Sequence, residues 1–208
     1  MANQEIVQTV TEWLGSGSIN IFGRPFAGKD TQGKRLAELF NGTLLGGGDI
    51  LRGSNIPPHV QEFMHTGQLI PSEEYVRIVL PYLSQESLSG RPLILSSVGR
   101  WSGEEEGVVE ATEASDHPLR AVILLTLSEN EVRSRWKKLE QHDDRGGRHD
   151  DSEEVLGTRL QEFSEKTLPV LDAYNDKGLL VEIDGNNTPD HVTSLVLNAL
   201  YTKATSQS

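Results

Sequence analysis

Residues 18–22, Ser-Ile-Asn-Ile-Phe, form a short, apolar, β-prone run that leads straight into Gly23-Arg24-Pro25-Phe26-Ala27-Gly28-Lys29. A helical pattern follows, through Leu36, Leu39 and Phe40. Strand, glycine-rich turn and helix in this order fit the first seven positions of the Walker A pattern in the context that pattern requires. The physical reason is that glycines let successive backbone N–H groups curl around a phosphate. The helix that follows adds the positive end of its dipole, and Lys29 brings a mobile charge to the outer oxygens. At the eighth position, where Ser or Thr normally offers a hydroxyl to magnesium, stands Asp30, followed by Thr31. A carboxylate beside phosphates is repulsive unless a cation lies between them, so Asp30 either touches magnesium or is turned away by Thr31.

Similar apolar runs occur at 43–45, 92–95, 121–127 and 179–183, separated by segments of helical character. This alternation predicts an α/β fold with a parallel, doubly wound sheet. Ile6, Val10, Trp13 and Leu14 recur at helical spacing before the breaker at 15–18, which predicts a helix over 3–14. Two stretches break the rhythm. Residues 49–79, with Pro57-Pro58 and Gly67, read as short helices in a subdomain set apart from the sheet, and 140–151, EQHDDRGGRHDD, is too polar for a core and reads as a solvated loop. The polar tail 202–208 is expected to fray.

A chain of 208 residues suits one folding unit. Its net charge of -12 repels nucleic-acid backbones and anionic membranes, so a polyanionic ligand needs locally clustered arginines. The absence of cysteine excludes thiolate metal sites and cysteine nucleophiles, and the six histidines show no HxxxH pairing. No apolar segment approaches the roughly 20 residues of a membrane span. The expectation is a cytoplasmic monomer with neither nucleic-acid nor membrane partners.

The stretch 23–32, GRPFAGKDTQ, is similar to the GxPGxGKGTQ loop of adenylate kinases, and the resemblance extends over nearly everything after Ser18. Residues 47–52, GGDILR, resemble the family's STGDLLR segment, and 67–71, GQLIP, its G-x-LVP turn. Residues 96–100, SSVGR, stand at its DGFPR. Arg148-His149-Asp150-Asp151 followed by Arg159 resembles its RxDD and next arginine, and Thr167 to Tyr174 its TxPLxxYY. The resemblance implies a P-loop NTPase fold with a five-stranded parallel sheet flanked by helices. It divides the chain into an N-terminal extension (1–18) and a kinase domain (19–208). That domain has core segments 19–48, 80–137 and 150–203, an acceptor-binding insertion at 49–79 and a short lid at 138–149.

The implied activity is phosphoryl transfer from MgATP to a nucleoside monophosphate, AMP first and UMP, CMP or another acceptor behind it. Lys29, Arg100, Arg148 and Arg159 would be catalytic. Gly23, Pro25, Ala27, Gly28, Lys29, Asp30, Thr31 and Arg135 would hold ATP. Gly47, Arg52, Leu69, Ile70, Gly99, Arg100, Glu104, Arg148 and Arg159 would hold the acceptor, and Asp30 and Thr31 are the candidate magnesium contacts.

Four positions depart from the family pattern. Ser96 replaces an aspartate that helps organise magnesium, while a carboxylate has appeared at Asp30, so one reading moves the metal anchor from the sheet edge to the loop. The other makes the chain a weakly catalytic nucleotide binder. Gly47 replaces a threonine and Glu104 a glutamine, both of which contact the acceptor base in the family. Glu104 either accepts a hydrogen bond from a base amino group or lies on a solvated helix face with Glu105 and Glu106. Asp150 and Asp151 read equally as lid anchors or as helix-capping charges.

Overall fold

The structure, a computed structural model, describes residues 2–140 and 152–206. Five strands, β1 (Ser18–Gly23), β2 (Thr43–Gly46), β3 (Leu93–Ser96), β4 (Leu119–Thr126) and β5 (Leu180–Asp184), form one sheet in the order β2-β3-β1-β4-β5. All neighbours are parallel. The central strand β1 is buried along its whole length, which is why it reads as a continuous run rather than an alternating one. Its register sets Ile21 opposite Ser96 of β3 and Ile123 of β4. The turns that leave β1 and β3 therefore emerge side by side at the carboxyl edge, where ligands of open α/β sheets bind.

Successive side chains on a strand point to opposite faces, and the core divides accordingly. Ile19, Ile21, Ala121, Ile123 and Leu125 face one cluster, shared with Leu36 and Phe40 of α2 (Lys29–Leu39) and Val192, Val196 and Leu200 of α10 (Pro189–Ser206). Phe22, Val122 and Leu124 face another, with Val170, Leu171 and Tyr174 of α9 (Leu168–Asp176). The N-terminal helix α1 (Ala2–Leu14) lies along α10 and sends Val10 and Leu14 into the first cluster, so it is part of the main core.

The insertion consists of α3 (Gly47–Gly53), α4 (Pro58–Thr66) and α5 (Ser72–Val79), and returns to β3 through 3₁₀ turns at Leu80–Ser84 and Glu86–Leu88. Ile50, Val60, Ile70, Tyr75 and Val79 make its interior, which continues into Leu93 and Leu95 of β3 and Val108 of α6 (Glu104–Ala114). α7 (Glu129–Glu140) follows β4. α8 (Glu153–Glu162) is N-capped by Ser152, whose side chain accepts from the Val155 N–H. A π turn over Phe163–Thr167 joins α8 to α9. It comes just before Pro169, which would otherwise press on the carbonyl one turn earlier.

One expectation is corrected. The tail does not fray at 202: α10 runs to Ser206 because Ala204, 2 % exposed, still packs inward. Among the described residues no helix is long and apolar enough to cross a membrane.

Candidate active site

The turn after β1 is built around two special glycines. Gly23 has φ +157, and a Cβ there would meet the Leu125 carbonyl oxygen at 2.8 Å, so only glycine lets this turn lie against β4. Gly28, at φ +94, is the N-cap of α2, and a Cβ there would enter open space beside the first N–H groups of the helix. Phe26 adopts φ +65 in a place where the resembled motif has glycine. The loop is braced from outside. Arg24 donates to the Leu127 carbonyl at 2.6 Å, and its guanidinium lies 5.8 Å from the centre of the Phe163 ring in the π turn. Gln32 donates to the Pro189 carbonyl at 2.9 Å.

Arg135 belongs to the same bracing. Its guanidinium donates to the carbonyls of Phe26 at 3.2 Å and Gly185 at 2.8 Å, and pairs with Glu131 at 3.1 Å. The arginine expected at ATP thus ties the phosphate loop to the turn that follows β5.

Every backbone N–H from Ser97 to Trp101, after β3, has a partner. Ser97 donates to the Ile21 carbonyl at 3.0 Å, Val98 to Asn20 Oδ1 at 3.2 Å, and Gly99 to the Tyr75 hydroxyl at 3.3 Å. Arg100 and Trp101 both donate to Glu104 Oε2, at 2.6 and 2.9 Å. Asn20 also donates to the Val98 carbonyl at 2.7 Å, so a buried amide on the central strand grips both backbone polar groups of one residue. These bonds hold Ser97 at φ +53, again where the resembled motif has glycine. They fix the direction in which Arg100 leaves the sheet.

Lys29, Arg100 and Arg159 converge in front of these two turns. Burial pushes the Lys29 ammonium down to about 8, the charge of Arg100 pushes the same way, Asp30 opposes it, and Arg159 adds a smaller push downward. Burial likewise lowers Arg100, and Arg159 adds to the shift while Tyr75, Glu162 and Glu104 oppose it. Lys29 Nζ donates to the carbonyls of Gly23 at 2.9 Å and Arg24 at 3.0 Å. Among the described residues Lys29 and Arg100 have no carboxylate bonded to their charged ends. Three cations held within mutual repulsion lower their energy by taking a polyanion between them.

The other expected residues are placed as follows. Leu69 N–H donates to Glu162 Oε2 at 3.0 Å, and the Ile70 carbonyl accepts from the Trp101 indole at 2.8 Å. The 67–71 turn therefore lies against α8 and the Arg100 turn. Lys166, paired with Glu162 at 2.6 Å, sits 4.2 Å over the Trp101 ring and joins these pieces. Arg52 is not drawn into the three-cation group: it folds back on Asp49, its neighbour one turn earlier. Glu104 does not lie on a solvated face. It is 3 % exposed, one oxygen caps the Arg100 turn, and the other is buried without a partner among the described residues. Glu105 is also buried and accepts from the Gly103 N–H at 2.7 Å. Gly47 carries no hydroxyl, but the Tyr75 hydroxyl stands 2.3 Å from where its Cβ would be. Arg148, Asp150, Asp151 and residues 141–149 of the expected lid lie outside the described residues.

Magnesium fits what is present. Among the described residues no group of three or more His, Asp or Glu side chains could hold a metal ion. A cation here would instead be shared between substrate phosphates and one carboxylate, the usual arrangement for magnesium. Asp30 is exposed in the first turn of α2, has no bonded partner among the described residues and sits beside Lys29. Thr31 is exposed next to it.

Sequence reasoning missed Asn20, Tyr75, Trp101, Glu162 and Lys166. Asn20 left a signal, a polar residue in the middle of a buried apolar run. The others became visible only when the insertion, α6 and α8 came together.

The sequence model of the family described as Adenylate kinase matches residues 21–179. The chain is 34 % identical over 185 residues to the adenylate kinase of Kocuria rhizophila, covering 86 % of this chain and 96 % of that protein. It is 31 % identical over 185 residues to that of a Nocardioides species, covering 86 % and 95 %. It is 30 % identical over 188 residues to that of Thermus thermophilus, covering 88 % and 96 %. Phosphate loop, sheet order, insertion and near full-length similarity agree, and the chain belongs to the adenylate kinase family of nucleoside monophosphate kinases.

Proposed function

We propose that Lys29, Arg100 and Arg159 carry the reaction ATP + AMP = 2 ADP at the carboxyl edge of this sheet. The observation that supports the reading is the mutual repulsion of these three cations beside a glycine-rich helix N-terminus. In the reaction an oxygen of the AMP phosphate attacks the γ-phosphorus, and the bond from that phosphorus to the bridging oxygen of ADP breaks. Little covalent work falls to the protein, so catalysis is positioning and neutralisation of charge on the transferring group. The N–H groups that open α2 and Lys29 hold the donor phosphates. Arg100, aimed by its five-bond turn, and Arg159, on α8, meet the transferring group and the acceptor phosphate. Arg52 joins them on exchanging Asp49 for the acceptor phosphate.

Magnesium, when bound, neutralises the donor phosphates. Asp30 is the carboxylate that would hold it, in place of the one missing at Ser96. The experiment is a magnesium titration of ADP formation with ATP and each of AMP, CMP, UMP, dTMP and GMP, for wild type and Asp30→Gly. Wild type is expected to turn over fastest with AMP. Asp30→Gly is expected to need roughly tenfold more magnesium for half-maximal rate, the loss of one charged ligand. An Asp30→Gly enzyme with unchanged magnesium dependence and turnover removes Asp30 from the metal site.

A further inference from the structure

Tyr75 stands where three parts of the acceptor side meet. It belongs to α5 of the insertion, its ring is buried, and its hydroxyl accepts from the Gly99 N–H at 3.3 Å, one residue before Arg100. Across from it, Gly47 opens α3, and a Cβ on Gly47 would stand 2.3 Å from the Tyr75 hydroxyl, 3.2 Å from Cζ and 3.3 Å from Cε2. A buried aromatic ring cannot withdraw as a flexible side chain could, so glycine at 47 and tyrosine at 75 are a matched pair. The hydroxyl contributed by α5 occupies the space that a side chain on α3 would otherwise fill.

We infer that Tyr75 is a positioning residue for acceptor binding: its hydroxyl links the insertion to the turn that carries Arg100, so that seating the insertion also sets Arg100. This rests on the reading of the insertion as the nucleoside monophosphate site. The remaining N–H groups of that turn are held by residues outside the insertion: Ile21 and Asn20 on β1, and Glu104 on α6. Tyr75 is thus the direct tie from the insertion to the Val98–Gly99 peptide, just before Arg100, while the Trp101 indole reaches back to Ile70 two residues later. Burial raises the Tyr75 phenol well above its ordinary range, which keeps the hydroxyl neutral at all working pH values.

Tyr75→Phe keeps the ring and removes the hydroxyl alone. Calorimetric titration of AMP, and separately of ATP, into the full chain reads the split, and amide exchange at Gly99 reads the lost bond. The expected result is AMP affinity weaker by about five- to tenfold, ATP affinity within about twofold of wild type, and faster exchange at Gly99. Gly47→Ala supplies the second arm. In wild type it should weaken AMP binding at least as much as Tyr75→Phe does. In the Tyr75→Phe background, where the 2.3 Å collision is gone, it should add less than about a further twofold. Unchanged AMP affinity in Tyr75→Phe, an equal loss for both nucleotides, or a Gly47→Ala penalty of the same size in both backgrounds would overturn the inference. Because binding is the readout, a chain that binds both nucleotides without transferring phosphate contradicts the proposed reaction and leaves the Tyr75 result legible.

Discussion

Lys29 is held at about 8 by burial and by the two arginines beside it, so its charge responds to pH in a range where an ordinary lysine does not. A polyphosphate placed on Lys29 favours the ammonium and raises it again. Nucleotide binding therefore takes up a proton wherever the free lysine is neutral. ATP affinity should be constant below pH 8 and fall as pH rises through it, by up to about tenfold per unit. The unliganded fold behaves in the opposite way. Between 8 and 10.5 the unfolded chain binds more protons at this lysine than the folded one, so the cost of burying the charge is relieved as pH rises. Calorimetric titration of ATP at pH 7 to 9.5, in buffers of different ionisation enthalpy, checks the proton uptake. Affinity that stays flat across that range would show that Lys29 does not meet the phosphates.

At the scale of elements, α1 is the part whose role the structure defines anew. Its spacing predicted a helix, and the structure places that helix along α10 with Leu14, 1 % exposed, in the main cluster. Leu14→Ala should cost about 2–5 kcal/mol, by lost burial plus the cavity left behind. For a chain of this size that lowers the melting temperature by roughly 5–15 °C, read by thermal denaturation, and should leave the Michaelis constants at low temperature unchanged. The strands were legible in advance because each is a short apolar run closed by glycine, proline or polar breakers, and the observed limits differ from the expected ones by a residue or two. The phosphate loop was legible for the same local reason. What was not legible depends on distant partners. Asn20 meets Val98 from 78 positions away, and Glu104 turned inward because the Arg100 turn needed an acceptor. The π turn also sets Phe163 beside Arg24 and Lys166 over Trp101, contacts with partners far away in sequence.

For the whole molecule, the net charge of -12 and the three converging cations belong to one design. An acidic surface repels polyanions in general, while a small basic focus at the carboxyl edge of the sheet admits one that fits. Glu162 ties the insertion turn to α8 through Leu69, and Arg159 lies on the same helix, so the insertion and Arg159 are joined through one element. The proposed reaction requires ATP cleavage to depend on the acceptor, because water is the competing nucleophile. The direct measurement is the stoichiometry of the reaction at neutral pH with magnesium and ATP, with and without AMP. Two ADP formed for each ATP consumed, with negligible ADP in the absence of AMP, is the predicted result. ATP binding with no ADP formed, or ATP hydrolysis that proceeds equally well without an acceptor, would contradict it.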